Sequence, residues 1–265
     1  MIIEIKEYLI RIREAKHFLL HLVKWDIKFK FRGSRIGVLW TILQPLLLTM
    51  IIGSIFGFVL HQEMKEYAPY ILSGLLVWDL ISGSVIGNSY SFLQAEVYIK
   101  QHTHPAIIYP LRAALVSTAT FLIAIISLLI WVAILYPQHI AVVLLSLPLT
   151  VCIYFMLSWP ISIISSHINI RFRDYPYIMN LVMQIMWYFS PVFFKRDMFL
   201  NSRVLEMVFN LNPITQILNL VRCPMFDGCF ASLATYVYVL LLVLCTLTIA
   251  WNVNKKCEKN LIFYF

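Results

Sequence analysis

Six apolar runs of 20 to 26 residues, uncharged except at Asp79, constrain the fold of this chain more than any other feature. They are Gly37 to Leu60, Ala68 to Leu93, Ala113 to Tyr136, Ala141 to Ser166, Tyr175 to Phe194 and Cys229 to Asn254. A helix needs about 20 apolar residues to cross roughly 30 Å of hydrocarbon, and each run is that long. Membrane strands would be shorter and would alternate in polarity, whereas these runs are apolar on every side. The expected fold is an all-α membrane protein with six transmembrane helices. Residues 1–265 form one transmembrane domain: an approach segment (1–36), a six-span core (37–254) and a tail (255–265).

With 61% hydrophobic and 13% charged residues, the chain is too apolar for a soluble domain with a polar surface. Residues 1–36 are too charged to hold the apolar core of a cleavable signal peptide, so the first span is expected to direct insertion. Placing both termini in the cytoplasm puts sixteen Lys and Arg on that side and five on the other. That bias predicts cytoplasmic ends and turns the formal +8 charge toward lipid headgroups, which excludes nucleic acid as the partner. Cys223 and Cys229 share the outer side, six residues apart around Pro224 and Gly228. Either a small disulfide or two free thiols fits that spacing.

Within the approach segment, Ile5, Leu9, Ile12, Ala15, Leu19 and Leu22 recur every three or four residues, with Lys6, Arg13 and His17 between them. This is the pattern of an amphipathic helix lying in the inner interface, its apolar stripe in the acyl boundary. The competing reading is a short helix packed on the body of the protein. Between the fifth and sixth runs the chain does something other than span. Pro191 ends the fifth run, and the fifteen-residue run Met207 to Val221 is too short to cross and is broken by Pro213. Such segments dip into a membrane from one face, predicting a re-entrant outer hairpin near Pro191 to Arg203 and Leu205 to Arg222. The bland alternative is a packed outer loop. No glycine is followed by lysine, so no Walker A loop is present and any ATP chemistry would belong to another chain.

Particular residues resemble the permease subunits of type-2 ATP-binding-cassette exporters of lipid-linked O-antigen, capsule or teichoic-acid polymers. They are Phe31-Arg32-Gly33-Ser34-Arg35-Ile36-Gly37 through Trp40 and Pro45, Tyr70 to Trp78, and Asn169-Ile170-Arg171-Phe172-Arg173-Asp174. Ser190-Pro191-Val192 and Asn212-Pro213-Ile214, with Arg222 and Pro224 beyond, complete the set. The order and spacing hold along nearly the whole chain. Two positions depart: His104-Pro105-Ala106-Ile107 stands where a Phe-Pro-Arg-Glu loop is usual, and Asp79 where Asn is common. The resemblance implies a homodimer in the bacterial inner membrane, served by two copies of an ATPase subunit that use ATP and Mg. This chain itself would hold no cofactor and no metal, and would not be an enzyme. The cargo would be a lipid-linked polysaccharide, O-antigen first among them, moved outward from the cytoplasm.

On this reading the residues sort into four groups. Tyr177, Asn180, Gln184 and Trp187, on one helical face, would line the sugar path with Trp40 and Trp78, because pyranose C–H faces pack on aromatic rings. Lipid-facing aromatics are the competing explanation, since Trp and Tyr favour membrane boundaries in any case. Lys30, Arg32 and Arg35 would meet the lipid phosphate, against the alternative of ordinary positive flanks. Glu96, Lys100, His102, His104 and Pro105 would couple to the ATPase. Pro191, Asn212, Pro213 and Arg222 would form the outer gate. Asp79 is the acidic residue within a span, expected near the outer half beside a polar vestibule. The small-residue repeats Gly53 to Gly57 and Gly83 to Gly87 suggest close helix approach, within or between subunits. A membrane enzyme acting on polyprenyl-linked sugars, or a drug or small-lipid permease, are the alternative functions; the first would require a clustered acidic or histidine site.

Overall fold

The computed structural model describes residues 10–59, 61–101, 104–192, 194 and 212–265, and of residue 259 the backbone alone. Among them every regular element is helical. Helix α1 (Lys16–Lys30) ends in a turn where Gly33 and Gly37 take φ of 83° and 58°, a left-handed backbone that glycine adopts without steric cost. Next come α2 (Trp40–Val59), α3 (Met64–Ser82), the short α4 (Glu96–Gln101), α5 (Ile108–Leu135), α6 (Ile140–Arg171), α7 (Tyr175–Phe189), α8 (Pro213–Arg222) and α9 (Leu233–Cys257).

Five helical stretches among the described residues are long and apolar enough to cross a membrane: Gly37–Val59, Met64–Gln94, Ile108–Leu135, Pro137–Arg171 and Leu233–Cys257. They fall on five of the six apolar runs. The remaining run, Tyr175 to Phe194, forms a helix of only 15 residues, about 22 Å long, which stops before Ser190 and Pro191. Of the expected hairpin, residues 195–211 lie outside the described residues. The described part of its second arm, Leu205 to Arg222, is the helix α8, which is followed by a π turn at Cys223–Asp227 and by Gly228 in the left-handed region.

Helix α6 is the hub, packed along α5 on one side and α9 on the other. The stretch Met64–Gln94 is not a uniform helix. After α3 it widens into a π turn (Gly83–Gly87), tightens into a 3-10 turn (Asn88–Tyr90) and closes with one α turn (Ser91–Gln94). Irregular backbone at membrane depth must find new hydrogen-bond partners inside the protein. Here α6 supplies them. Ser166 Oγ donates to the Asn88 carbonyl (3.0 Å) and Asn169 Nδ2 to the Ser89 carbonyl (3.1 Å). Ser158 pairs with Ser84, Ser162 accepts from Asn88, and Ser166 pairs with Ser91, at 2.6, 2.9 and 2.7 Å.

One expectation is corrected. The described part of the amphipathic stripe, Ile12, Ala15, Leu19 and Leu22, does not lie in an acyl boundary. Ala15, Leu19 and Leu22 are buried, and Ile12, Ala15 and Leu19 pack on Ile108 and Leu111 of α5 and Trp159 of α6. The apolar start of α5 offers that stripe a protein partner, so the helix packs on the body, while Leu20, Trp25 and Phe29 are the apolar side chains it leaves exposed. Residues 5–9 of the stripe lie outside the described residues.

The glycine repeats part company. A Cβ on Gly53 would meet the Met64 side chain at 2.8 Å and one on Gly57 the Gln62 carbonyl at 3.3 Å, so that pair does allow close approach. Gly83 and Gly87 have nothing within 4 Å. They sit in the π turn, and open space lies beside them.

Candidate functional site

That open space consists of two adjoining hollows which share Gln44, Asp79, Gly83 and Gly87 as wall. The first, about 780 Å³, lies between the end of α1, the start of α2, α3 and α5. Its polar lining includes Lys30, Asp79, Asn88, Ser117 and Thr120, against Leu76, Leu80 and Phe121. The second, about 650 Å³, is an open groove between α3 and α7, lined by Trp78, Asn180, Gln184 and Trp187 as well as the shared residues.

The groove exists because α7 is lightly held. It packs on the π turn and on α6 and leaves an apolar face without cover, with Leu181 65% exposed. Ile178, Leu181 and Ile185 make up that exposed face, while Asn180, Met183, Gln184 and Trp187 fall on the groove side. Trp187 meets Trp78 edge to face, ring centres 5.1 Å apart. Trp78 is only 6% exposed and acts mainly as the rigid support behind Trp187. An aromatic ring beside two amides and a carboxylate suits a ligand with both C–H faces and hydroxyls.

The structure brings together four of the six expected lining residues: Trp78, Asn180, Gln184 and Trp187. Trp40 lines the first hollow instead, and Tyr177 stands 72% exposed, outside both. Asp79 lies midway along the Met64–Gln94 stretch, in the wall of both hollows. Lys30 reaches in from the end of α1 and donates to Thr120 Oγ1 at 3.5 Å. Burial of its ammonium group lowers its pKa below the usual lysine value, and the negative charge of Asp79 acts in the opposite direction. Arg32 and Arg35 stay on the exposed turn, away from the hollow. Asp26 of α1 and Arg112 of α5 form a bidentate ion pair at the rim.

At the end of the bundle that carries α1 and the tail, α4 presents the exposed Glu96–Lys100 pair at 2.6 Å. His104 stacks on Phe18 of α1, ring centres 4.6 Å apart, and the Ala106 N–H donates to Glu258 Oε1 at 2.9 Å. The segment is thereby pinned between α1 and the tail. His102 lies outside the described residues.

At the opposite end, Asn212 caps α8 by accepting from the Ile214 N–H (2.9 Å), with Pro213 in the first helical position, where its missing N–H costs nothing. The Asn212 amide also donates to the Phe189 carbonyl (3.1 Å) and Ser190 Oγ (3.0 Å). Arg222 is 7% exposed. Its guanidinium donates to the carbonyls of Pro191 (2.6 Å), Val192 (2.9 Å) and Tyr70 (3.2 Å) and to Ser73 Oγ (3.2 Å), over the Tyr70 ring at 3.7 Å. All four outer residues thus meet in one knot. Cys223 and Cys229 are both free thiols.

A profile of the ABC-2 type transporter family matches residues 18–226, which takes in α1, both hollows, α4 and the Arg222 knot. The chain belongs to this family. Relatives of this ABC-2 transporter include the O-antigen export system permease protein RfbA of Klebsiella pneumoniae, 26% identical over 173 residues, 65% of this chain and 67% of that protein. The protein of the same name from Myxococcus xanthus is 24% identical over 215 residues, 77% of this chain and 78% of its own length. The polysialic acid transport protein KpsM of Escherichia coli is 21% identical over 245 residues, 89% of this chain and 92% of its own. The type-2 exporter resemblance carried by the five motifs is thereby confirmed.

Sequence reasoning missed the serine ladder and the Asp26–Arg112 pair. The ladder had a signal: Ser158, Ser162 and Ser166 recur every fourth residue along a span, which puts three hydroxyls on one helix face. The ion pair had none, because its partners stand 86 residues apart.

Proposed function

We propose that this ABC-2 transporter is the membrane-spanning subunit of an ATP-driven exporter of lipid-linked polysaccharide, with O-antigen the best supported cargo. The observation that carries the reading is the groove of Trp187, Trp78, Asn180 and Gln184 in a chain whose relatives are named for O-antigen export and polysialic acid transport. Such a surface holds a sugar chain weakly and repeatedly, by stacking and by exchangeable hydrogen bonds, so that the polymer can slide. As a family member the chain is a transport subunit and not an enzyme.

In this proposal the bundle works as a homodimer in the inner membrane, with both termini cytoplasmic and α7 with the segment after it serving as a sixth crossing. The uncovered apolar faces of α2 and α7 support a second copy as neighbour. Two ATPase subunits dock on the α4 segment and use ATP and Mg. Their closure would push Glu96 to Pro105, and the stacked His104 and the Ala106–Glu258 bond would pass that push to α1 and the tail. Helix α7 is tied at its far end by Arg222 and held lightly elsewhere, so it is the element that would move and reshape the groove. Lys30, at the mouth of the first hollow, would meet the lipid phosphate.

Deleting the chain in its host tests the reading. Finished lipid-linked polysaccharide should accumulate on the cytoplasmic side. Loss of the polymer with no precursor building up would place the defect in synthesis and reject export.

A further inference from the structure

A third hollow, about 410 Å³, lies between the ends of α6 and α9, away from the groove and from α4. Its walls are Ile168 and Phe172 on one side and Val253 on the other, with Arg171 and Lys256 as the cations and His167 at the inner wall. Both helices are candidate spans that end here, at Arg171 and Cys257, so the hollow straddles the boundary between acyl chains and headgroups. Cations at such a boundary are ordinary in any membrane protein. Two further observations set these apart.

The first is spatial. Ile168 and Arg171, like Val253 and Lys256, lie three residues apart on their helices, so each pair runs from the apolar depth to the charged mouth. Lys256 forms no hydrogen bond or ion pair among the described residues, and Arg171 has the Tyr264 ring at 4.9 Å.

The second concerns charge. Nε2 of His167 donates to Asn254 Oδ1 at 3.1 Å, and Asn254 Nδ2 donates to Glu258, which also accepts from the Ala106 N–H. These polar groups are spent on one another, and the lining that holds Arg171 and Lys256 contains no carboxylate.

We propose that this hollow binds the phosphate of a membrane lipid, with Arg171 and Lys256 on the phosphate oxygens and the first methylenes between Ile168 and Val253. Basic pockets between helices at a membrane face are suited to such headgroups. The site does not depend on the export reading. Two sources share its chemistry: a resident anionic phospholipid, and the phosphate of a polyprenyl-linked cargo.

The test is native mass spectrometry of the purified full chain released from bilayer discs of phosphatidylcholine with phosphatidylglycerol. The wild type should retain phosphatidylglycerol, Arg171→Gln/Lys256→Gln should retain about tenfold less or lower, and Arg171→Lys/Lys256→Arg should restore binding. Should the double glutamine variant fail to fold, Lys256→Gln alone, a change at an exposed side chain, should still lower retention severalfold. Equal retention by the wild type and whichever glutamine variant folds would overturn the site. Adding polyprenyl phosphate separates the sources: displacement of phosphatidylglycerol from the wild type assigns the site to cargo phosphate, and persistence assigns it to resident lipid.

Discussion

Gly74→Ala tests how the end of the fold around Arg222 is held. A Cβ on Gly74 would lie 2.3 Å from the Val192 carbonyl oxygen, 3.0 Å from its carbon and 2.9 Å from Arg222 Nη2. Ordinary contact between carbon and oxygen is near 3.3 Å, so the 190–192 turn must retreat by about 1 Å. Most of the obstruction is backbone, which cannot swing aside as a side chain can. A retreat of that size stretches the 2.9 Å bond from Arg222 to Val192 beyond hydrogen-bond range. Overpacking costs about 1–3 kcal/mol, and loss of a hydrogen bond to a charged group about 1.5–3 kcal/mol. Against these, alanine gains about 0.5–1 kcal/mol over glycine in a helix. The net expectation is destabilisation by about 2–5 kcal/mol, or a fall in melting temperature on the order of 5–10 °C.

Gly83→Ala is the control. It lies on the same chain segment with nothing within 4 Å, so it should be neutral or slightly stabilising. Thermal unfolding of the purified variants, followed by tryptophan fluorescence at matched detergent, reads both. If Gly74→Ala melts with the wild type, or shifts as Gly83→Ala does, the clamp argument is wrong. Because both changes lose the bond from Arg222 to Val192, Gly74→Ala combined with Arg222→Ala should cost less than the sum of the single changes.

Other outcomes follow from the same geometry. Trp187→Ala should reduce polymer export severalfold while the ATPase partner still co-purifies, with Trp187→Phe intermediate; unchanged export would remove Trp187 from the sugar path. Asp79→Asn or Lys30→Met alone should lower the amount of folded chain in membranes, and the double change should recover part of it, because each single change strands a charge inside the hollow; a double variant worse than both singles would contradict this. Burial first, and Asp227 next, push the Cys223 thiol up to about 11, so at pH 8 it is almost wholly protonated. A membrane-impermeant maleimide, which reacts with thiolate, should therefore modify the exposed Cys229 first, and Cys223 should speed up about tenfold per pH unit. Equal rates at pH 8 would refute the assignment.

How much of this could be read in advance depended on whether a feature was local. Five candidate crossings were legible because apolarity over 20 residues is a one-dimensional signal, and their ends shifted by a few residues, as where the Ser232 cap starts the last helix at Leu233 and not at Cys229. The short α7 was less so: its run is apolar through Phe194, but Ser190 takes an extended backbone before Pro191 and the helix stops there. The stripe on α1 was read correctly as amphipathic and wrongly assigned to lipid. Periodicity shows that a face is apolar, and it takes the position of Ile108 and Leu111 to show what covers it.

The π turn at Gly83–Gly87 explains why the site was half legible. Asp79, Gly83 and Gly87 follow one another at four-residue steps and line both hollows, whereas Ser84, Asn88 and Ser91 bond the hydroxyls of α6, with Asn88 and Ser91 also reaching the first hollow. A regular helix turning 100° per residue gives each face only one such row. The π turn and the tighter turn after it change the step, so the second row stays aligned with Ser158, Ser162 and Ser166 while the first keeps its glycines beside open space. Within this chain the glycines leave space, since a side chain at either position would project into the wall that the two hollows share. The groove residues on α7 were found from their own helix. Their counterpart on the facing wall was hidden in a break of helical period, which apolarity alone does not register.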